Sequence, residues 1–313
     1  MRPESRDSTP DMGHNPTTSF GKRALLSAIN AASRLVRRRE NGNAPEEINN
    51  ILVVELWNIG DVVLLLPFLG RLRAAYPDAK ITLLARPHAR VILDGSGLVD
   101  EYLDDRGSSD NWLSLNPAEG GWGDLVRLRN QLRGRDFDMA FQCRPHIREH
   151  LILSMSGARR RIGLSFGDDD GVLTDAMNLN EGMLHKAEDW LNLAEIAGVP
   201  AATASPELHL LETEKEEAIR FLQNSGIRDE DILVAVHPGA STPQKRWPLE
   251  RFAEVARMLS EREGTRVIAF TDPAGYGAPL AKIENVIEVK ASLREMIALI
   301  SQCSASIGND SGP

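Results

Sequence analysis

Beyond residue 49 the sequence alternates short apolar runs with amphipathic segments, and this alternation limits the possible folds more than any other feature. Runs such as ILVVEL (51–56) and DILVAVHPG (231–239) are largely apolar, which is typical of parallel strands covered on both faces. Segments such as HKAEDWLNLAEIAGVP (185–200) instead have the apolar spacing of helices. The alternation therefore predicts an α/β chain with doubly wound parallel sheets.

The alternation occurs in two blocks, which predicts two domains. The first block is assigned to residues 48–204 and the second to residues 205–313, with the small-residue stretch at 201–206 as the linker. Residues 1–47 are set apart as an N-terminal extension. The second block stops just past a strand, so we expect this domain to be incomplete at its C-terminus.

Composition excludes several classes of function. The net charge is −9, from 36 Lys and Arg against 45 Asp and Glu, which argues against broad nucleic-acid binding. The two cysteines, Cys143 and Cys303, are far apart in the sequence, so neither a disulfide framework nor a metal cluster is predicted. No apolar run approaches the length of a membrane span, and no signal peptide is recognised. We therefore predict a cytoplasmic protein without a metal site.

The N-terminal extension contains one segment with a strongly basic flank. Residues 1–19 are polar and predicted to be disordered, whereas residues 20–39 have helical apolar spacing. Their basic residues are Lys22, Arg23, Arg34, Arg37, Arg38 and Arg39. One interpretation is a helix lying on the anionic inner face of the cytoplasmic membrane, and the other is a helix that packs on its own protein.

Three loops after predicted strands carry polar groups suited to chemistry. They are WNIGD (57–61), HPGASTPQKRWP (237–248) and GNDSGP (308–313). In open parallel sheets, ligands bind beyond the carboxyl ends of the strands, so a shared site would lie in a cleft between the domains. Each loop also has a simpler interpretation: Asp61 as a helix cap, Lys245 and Arg246 as solvated charges, and the last loop as a turn.

Four separated motifs together resemble the ADP-heptose:lipopolysaccharide heptosyltransferases, which form glycosyltransferase family nine. They are the opening strand, loop and helix (51–86), GARRRIGL (157–164), VAVHPGAS with KRWPLERFAEVA (234–256), and IGNDSGP (307–313). The resemblance implies the GT-B architecture, in which two Rossmann-like domains face a cleft. It also implies inverting transfer of heptose or a related sugar from an ADP-sugar to a lipopolysaccharide-core or related glycolipid acceptor, without a cofactor. The N-terminal extension, and a sequence that stops at DSGP, depart from the family pattern.

The resemblance implies roles for individual residues. Asp61 takes the position of the catalytic base, and we expect Gly60 to bend the backbone so that this carboxylate points into the cleft. The candidate donor-binding residues are Ser241, Lys245, Asp272, Asp310, Ser311 and Gly312. On electrostatic grounds alone, Arg86, Arg144 and Arg148 join Gly60 on the acceptor side, because they follow strand ends and suit an anionic lipid-linked sugar.

Three other functions were weighed. A dinucleotide-dependent oxidoreductase needs G-x-G-x-x-G after the first strand, and a P-loop nucleotidase needs G-x-x-x-x-G-K-[ST]; neither motif is present. A non-catalytic member of the fold, binding a nucleotide-sugar or a protein partner, stays open. The presence of Asp61 and Lys245 counts against it, and the expected loss of C-terminal elements counts for it.

Overall fold

The computed structural model describes most of the chain beyond the N-terminal extension. It describes residues 47–310 except for 105–120, 146, 166–171, 179–184, 201–206, 241 and 274. The predicted basic helix at 20–39, the domain boundary at 204/205 and the donor candidates Ser241, Ser311 and Gly312 lie outside the described residues and stay predictions. Within the described part of the chain, no helix is both long and apolar enough to cross a membrane.

In the described residues, six parallel strands form the first sheet. They are β1 (Asn50–Glu55), β2 (Lys80–Ala85), β3 (Glu101–Asp104), β4 (Met139–Gln142), β5 (Arg160–Ser165) and β6 (Asp175–Asn178). Their order in space is β3-β2-β1-β4-β5-β6, and the register aligns Glu55 with Ala85 and Val54 with Gln142. The order reverses between β1 and β4, so the loops that leave these two strands diverge and open a crevice there.

Helices cover both faces of this sheet. They are α1 (Ile59–Ala75), α2 (Pro87–Leu93), α3 (Gly121–Leu132), α4 (Ile147–Ser156) and α5 (Lys186–Ile196). Alternate residues of β1 point to two separate cores, one with α1, α2 and α5 and the other with α3 and α4. Phe68 of α1 lies with its ring centroid 4.8 Å from Trp190 of α5 and 5.1 Å from Phe141 of β4. This aromatic contact fixes α5 beside α1.

The second sheet has four parallel strands in the described residues. They are β7 (Ile232–His237), β8 (Thr265–Phe270), β9 (Val286–Val289) and β10 (Ala305–Gly308), in the order β10-β7-β8-β9. Its helices are α6 (Glu212–Asn224), α7 (Leu249–Ser260) and α8 (Leu293–Ile300), with short 3₁₀ turns at Pro243–Lys245 and Ala278–Lys282. Here too the helices cover both faces. The predicted α/β fold with two doubly wound sheets is confirmed.

Arg294 of α8 contacts both halves of the molecule. The Arg294 guanidinium contacts both carboxylate oxygens of Glu214 in α6, at 2.5 and 2.8 Å. It also donates hydrogen bonds to the carbonyl oxygens of Val91, Ile92, Asp94 and His209, at 2.7 to 3.4 Å. Three of these carbonyls belong to the C-terminal end of α2, where helical carbonyl groups lack partners within the helix. Arg294 therefore ties α2 of the first half to α6 and α8 of the second.

Candidate active site

A cavity of about 610 Å³ opens between the carboxyl ends of the two sheets. Its described lining residues are Asn58, Ile59, Gly60, Asp61, Leu64, Arg86, His88, His237, Gly239, Ala240, Lys245, Asp272 and Asp310. On the first sheet they follow β1 and β2, and on the second they follow β7, β8 and β10. The order of the second sheet reverses between β7 and β10, so both halves contribute their crevice to this cavity.

Asp61 lies on a helix rather than on the loop that the sequence suggested. It belongs to the first turn of α1, where Asn58 is the N-cap, and its Oδ2 accepts the Asn58 backbone N–H at 3.0 Å. The side chain completes a capping box, and the positive end of the helix dipole favours its negative charge. Asp61 therefore caps the helix and also lines the cavity.

The predicted bend at Gly60 is wrong. Gly60 is the second residue of α1, and it is not among the glycines with a positive φ in the described residues. A Cβ added there would meet no atom within 4 Å. The helix turn itself aims Asp61, and Gly60 leaves open space beside the carboxylate on the cavity side.

Two cations bind the same oxygen of Asp61. Lys186 Nζ lies 2.8 Å from Asp61 Oδ1, and the Arg144 guanidinium lies 3.1 Å from it. Burial acts to raise the pKa of Asp61, but the hydrogen bond and charge of Lys186, the Asn58 N–H and the charge of Arg144 outweigh it and lower the pKa. Asp61 is therefore an ionised carboxylate at neutral pH.

Lys186 also contacts a second, buried carboxylate. Its Nζ lies 2.8 Å from Glu55 Oε2, and Glu55 is only 2% exposed at the end of β1. Burial raises the pKa of Glu55, and the charge and hydrogen bond of Lys186 oppose that rise. One ammonium thus bridges the two acidic side chains beneath the cavity.

The three arginines predicted for the acceptor side differ in position. The guanidinium carbon of Arg144 lies 3.6 Å from the centre of the Trp57 ring, and the guanidinium also contacts Asp61. In this structure Arg144 is therefore a partner of that carboxylate. Arg86 precedes α2 and lines the cavity. Arg148 lies on α4, outside the set of described residues that line the cavity.

Two histidines, which the sequence analysis did not select, face each other across the cavity. His88 lines it from α2 and His237 from the end of β7. Burial lowers the pKa of both imidazoles; for His88 the charge of Arg86 adds to the effect, and for His237 the charge of Asp272 opposes it. Both rings are therefore neutral at physiological pH. Their position directly after predicted strands was the available signal.

The loops after β7 and β10 contact each other where the strand order of the second sheet reverses. Lys245 Nζ forms an ion pair with Asp310 Oδ2 at 3.0 Å. Asn309 donates from its amide to the Pro238 carbonyl at 2.7 Å and accepts the Trp247 backbone N–H at 2.9 Å. Asn309 therefore fixes one loop against the other, a role that the sequence did not reveal.

Asp272 has a hydrogen bond within its own loop. Its Oδ1 accepts the Tyr276 backbone N–H at 2.8 Å, and the guanidinium of Arg246 lies 4.6 Å from the centre of the Tyr276 ring. Lys245, Asp272 and Asp310 thus share one side of the cavity, opposite Asp61. Their predicted roles toward a donor stay predictions.

Two signals in the sequence pointed to Glu55 and Lys186, and neither was used. Glu55 is an acid inside an otherwise apolar strand, and a buried charge requires a partner. Lys186 is the first residue of α5, a position where the helix dipole disfavours a cation. An acid and a base that are each unfavourable in their own element are natural partners for each other.

Known proteins resemble this chain over most of its length. The profile of glycosyltransferase family 9 (heptosyltransferase) matches residues 125–313. Lipopolysaccharide heptosyltransferase 2 of Salmonella typhimurium is 26% identical over 281 residues, which cover 84% of this chain and 77% of that protein.

Solved structures extend the comparison to the fold. The family 9 glycosyl transferase of Veillonella parvula is 27% identical with a TM-score of 0.70, covering 87% of this chain and 78% of that one. The Escherichia coli heptosyltransferase WaaC, solved with ADP, is 16% identical with a TM-score of 0.63 over 84% of this chain and 82% of its own. These neighbours confirm the GT-B arrangement of two Rossmann-like halves. The profile match covers more than half of the chain, and the chain belongs to glycosyltransferase family 9, the heptosyltransferase family.

Proposed function

We propose that this glycosyltransferase moves heptose or a related sugar, with inversion, from an ADP-sugar to a lipopolysaccharide-core or related glycolipid acceptor. One observation carries the proposal: an ionised carboxylate at the crevice of the first sheet shares a cavity with a lysine at the crevice of the second. Family membership supports it, as does the name of the Salmonella relative, a lipopolysaccharide heptosyltransferase.

Asp61 is the general base in this proposal. It takes the proton from the acceptor hydroxyl while that oxygen bonds to the anomeric carbon, and the bond from that carbon to the phosphate oxygen of the donor breaks. The cations around Asp61 keep it in the ionised form that can accept a proton. Its place on a helix end, rather than on a loop, holds the carboxylate in one orientation.

Lys245 stabilises the leaving group. A nucleoside diphosphate gains negative charge as it departs, and a charge-assisted contact from an ammonium group offsets that charge. The start of α7 follows the same loop and adds backbone N–H groups at a helix N-terminus. These groups provide the charge stabilisation, so the proposed mechanism gives no role to a metal ion or a cofactor.

The substitution Asp61→Asn tests the base directly. Asparagine keeps the size of the side chain and an oxygen that accepts the Asn58 N–H, but it cannot take the proton. We expect kcat for transfer from ADP-heptose to fall by about 10²- to 10⁴-fold, with ADP affinity nearly unchanged. Asp229→Asn, in an exposed turn of the second half, is the matched control and should leave both values unchanged.

The outcomes separate the proposal from its alternatives. Turnover near the wild-type value in Asp61→Asn would leave Asp61 as a helix cap only. A wild-type chain that binds ADP by calorimetry but transfers sugar from no ADP-sugar would instead favour the non-catalytic member of the fold.

A further inference from the structure

The base rests on a buried pair of charges that the proposed chemistry does not itself require. Glu55 is 2% exposed, and the Lys186 side chain is 16% exposed. The Lys186 ammonium lies 2.8 Å from Glu55 and 2.8 Å from Asp61. Burying such a pair costs desolvation free energy, so its presence beside the cavity calls for a physical reason.

We propose that Lys186, anchored by Glu55, is a positioning residue that orients Asp61 and leaves one of its oxygens available for the proton of the acceptor hydroxyl. This inference rests on the proposed function, because it assumes that Asp61 is the base.

The distribution of hydrogen bonds identifies the available oxygen. Lys186 and Arg144 both bind Oδ1, whereas the one donor to Oδ2 among the described residues is the Asn58 backbone N–H. A carboxylate oxygen has about two acceptor positions, so Oδ1 is saturated and Oδ2 keeps one position open. Three donors from three parts of the chain also fix the plane of the carboxylate.

Glu55 explains why a flexible lysine holds a single position. The Glu55 side chain is itself fixed, because its Oε1 accepts the Trp57 backbone N–H at 3.2 Å. The ammonium binds between this fixed carboxylate and Asp61, so the stem of Lys186 has little freedom. Trp190 lies one turn after Lys186 and packs on Phe68 of α1, so the first turn of α5 is held against α1, where Lys186 reaches Asp61.

Several titratable groups surround the pair, and they matter for any pH profile. From the first half they are Arg86, His88, Cys143, Arg144 and Asp189. Across the cavity, His237, Lys245, Asp272 and Asp310 complete the set. His88 titrates on the acid side of neutrality, so its contribution has to be separated from that of Asp61.

Steady-state kinetics of Lys186→Met, with ADP-heptose and the glycolipid acceptor, test the inference. Methionine keeps an apolar stem and removes the ammonium. We expect kcat to fall by about 10- to 100-fold, the typical cost of a misplaced catalytic group, with the donor KM unchanged. The acid limb of the kcat/KM profile should also move to higher pH, because the cation no longer lowers the pKa of Asp61.

Rescue and control variants separate positioning from folding. Lys186→Arg keeps the charge and should restore most of kcat and the wild-type acid limb. Lys215→Met removes an exposed lysine that pairs with Glu212 on α6, and it should change neither. All profiles are repeated with His88→Asn, so that the titration of this imidazole is removed from the comparison.

A double variant distinguishes a misplaced Asp61 from a misfolded protein as the cause of a lower kcat. Lys186→Met alone leaves Glu55 buried without its cation, whereas Glu55→Gln with Lys186→Met removes both charges. We expect the double variant to fold, as judged by circular dichroism, and to show the same loss of kcat and the same shifted acid limb. If it keeps the wild-type kcat and acid limb while Asp61→Asn is inactive, the proposed function stands and the inference is overturned. If Asp61→Asn is active, the base assignment itself fails.

Discussion

Lys245 and Asp310 form an ion pair that, under the proposed function, a phosphate of the donor displaces. Their side chains are 48% and 90% exposed, and exposed pairs of this kind contribute only about 0 to 1 kcal/mol. A diphosphate offers Lys245 more negative charge than one carboxylate does. The ion pair therefore preorganises the loop without resisting donor binding.

Lys245→Ala should weaken ADP binding by about 10- to 100-fold, since a hydrogen bond to a charged group contributes about 1.5 to 3 kcal/mol. Isothermal titration calorimetry with ADP measures this change. Lys290→Ala, which removes another exposed lysine of the second half paired with Glu288, is the control. Equal ADP affinity in the two variants would make Lys245 a solvated loop charge.

Motifs in the sequence identified residues that line the cavity, but not the buried pair Glu55 and Lys186. The loops of Asp61, Lys245 and Asp310 were selected because each follows an apolar strand, and the resemblance implied the roles of these residues. The structure brings all three to one cavity. Glu55 and Lys186 were not selected, because a contact between residues so distant in the chain leaves no local periodicity. Only their unfavourable local environments, a buried strand and a helix N-terminus, hinted at a partner.

At the scale of elements, fully buried strands were the predictable part of the fold. β1, β2 and β7 are nearly continuous apolar runs, and the strands predicted at 51–56 and 231–239 are confirmed as β1 and β7. No strand was predicted at β6 or β9. β6 alternates half-buried with exposed residues, and β9 has four residues, so neither carries a strong apolar signal.

β5 was missed for a different reason. It begins with two arginines, and its stretch was used only as a motif of the family resemblance, without a strand prediction. Arg161 is nevertheless only 4% exposed. Its guanidinium donates to the carbonyls of Val172 and Ala158, each at 2.7 Å. Internal hydrogen bonds of this kind neutralise the cost of burying a charged side chain, and the sequence does not display them.

Trp190 packs α5 against α1, the two helices that carry Lys186 and Asp61. Its side chain is fully buried against Phe68, and truncation of such a residue costs about 3 to 5 kcal/mol. Trp190→Ala should lower the free energy of unfolding in urea by that amount and also lower kcat, because the start of α5 loses its support. Ile196→Ala, at an exposed position of the same helix, should change stability by less than about 1 kcal/mol. A Trp190→Ala variant with full kcat would show that Lys186 does not depend on this packing.

At the scale of the whole molecule, the contact made by Arg294 should give stability a dependence on pH. The hydrogen bond from Arg294 is the main cause that lowers the pKa of Glu214 below its ordinary value of 4.5. A lowered folded-state pKa means that ionised Glu214 stabilises the fold above pH 4.5, and this contribution disappears as the pH falls through the folded-state pKa.

Thermal unfolding between pH 7 and pH 3 checks this expectation. The wild-type chain should lose stability below about pH 4.5, and Arg294→Ala should be less stable at pH 7 but lose less on acidification. Arg251→Ala, which removes an exposed pair with Glu254 on α7, should follow the wild-type profile. Parallel profiles for wild type and Arg294→Ala would show that Glu214 gains nothing from the contact between the halves.

The division of the cavity between two sheets has an evolutionary consequence. Asp61 and its supporting charges belong to a half with its own two cores, and Lys245, Asp272 and Asp310 belong to a half with two others. Under the proposed function, substitutions in the loops after β7, β8 and β10 change which nucleotide-sugar is accepted without disturbing the packing around Asp61, the proposed base. A lineage built on this chain can acquire new donors and new acceptors in separate steps, each tested by selection while the other half stays functional.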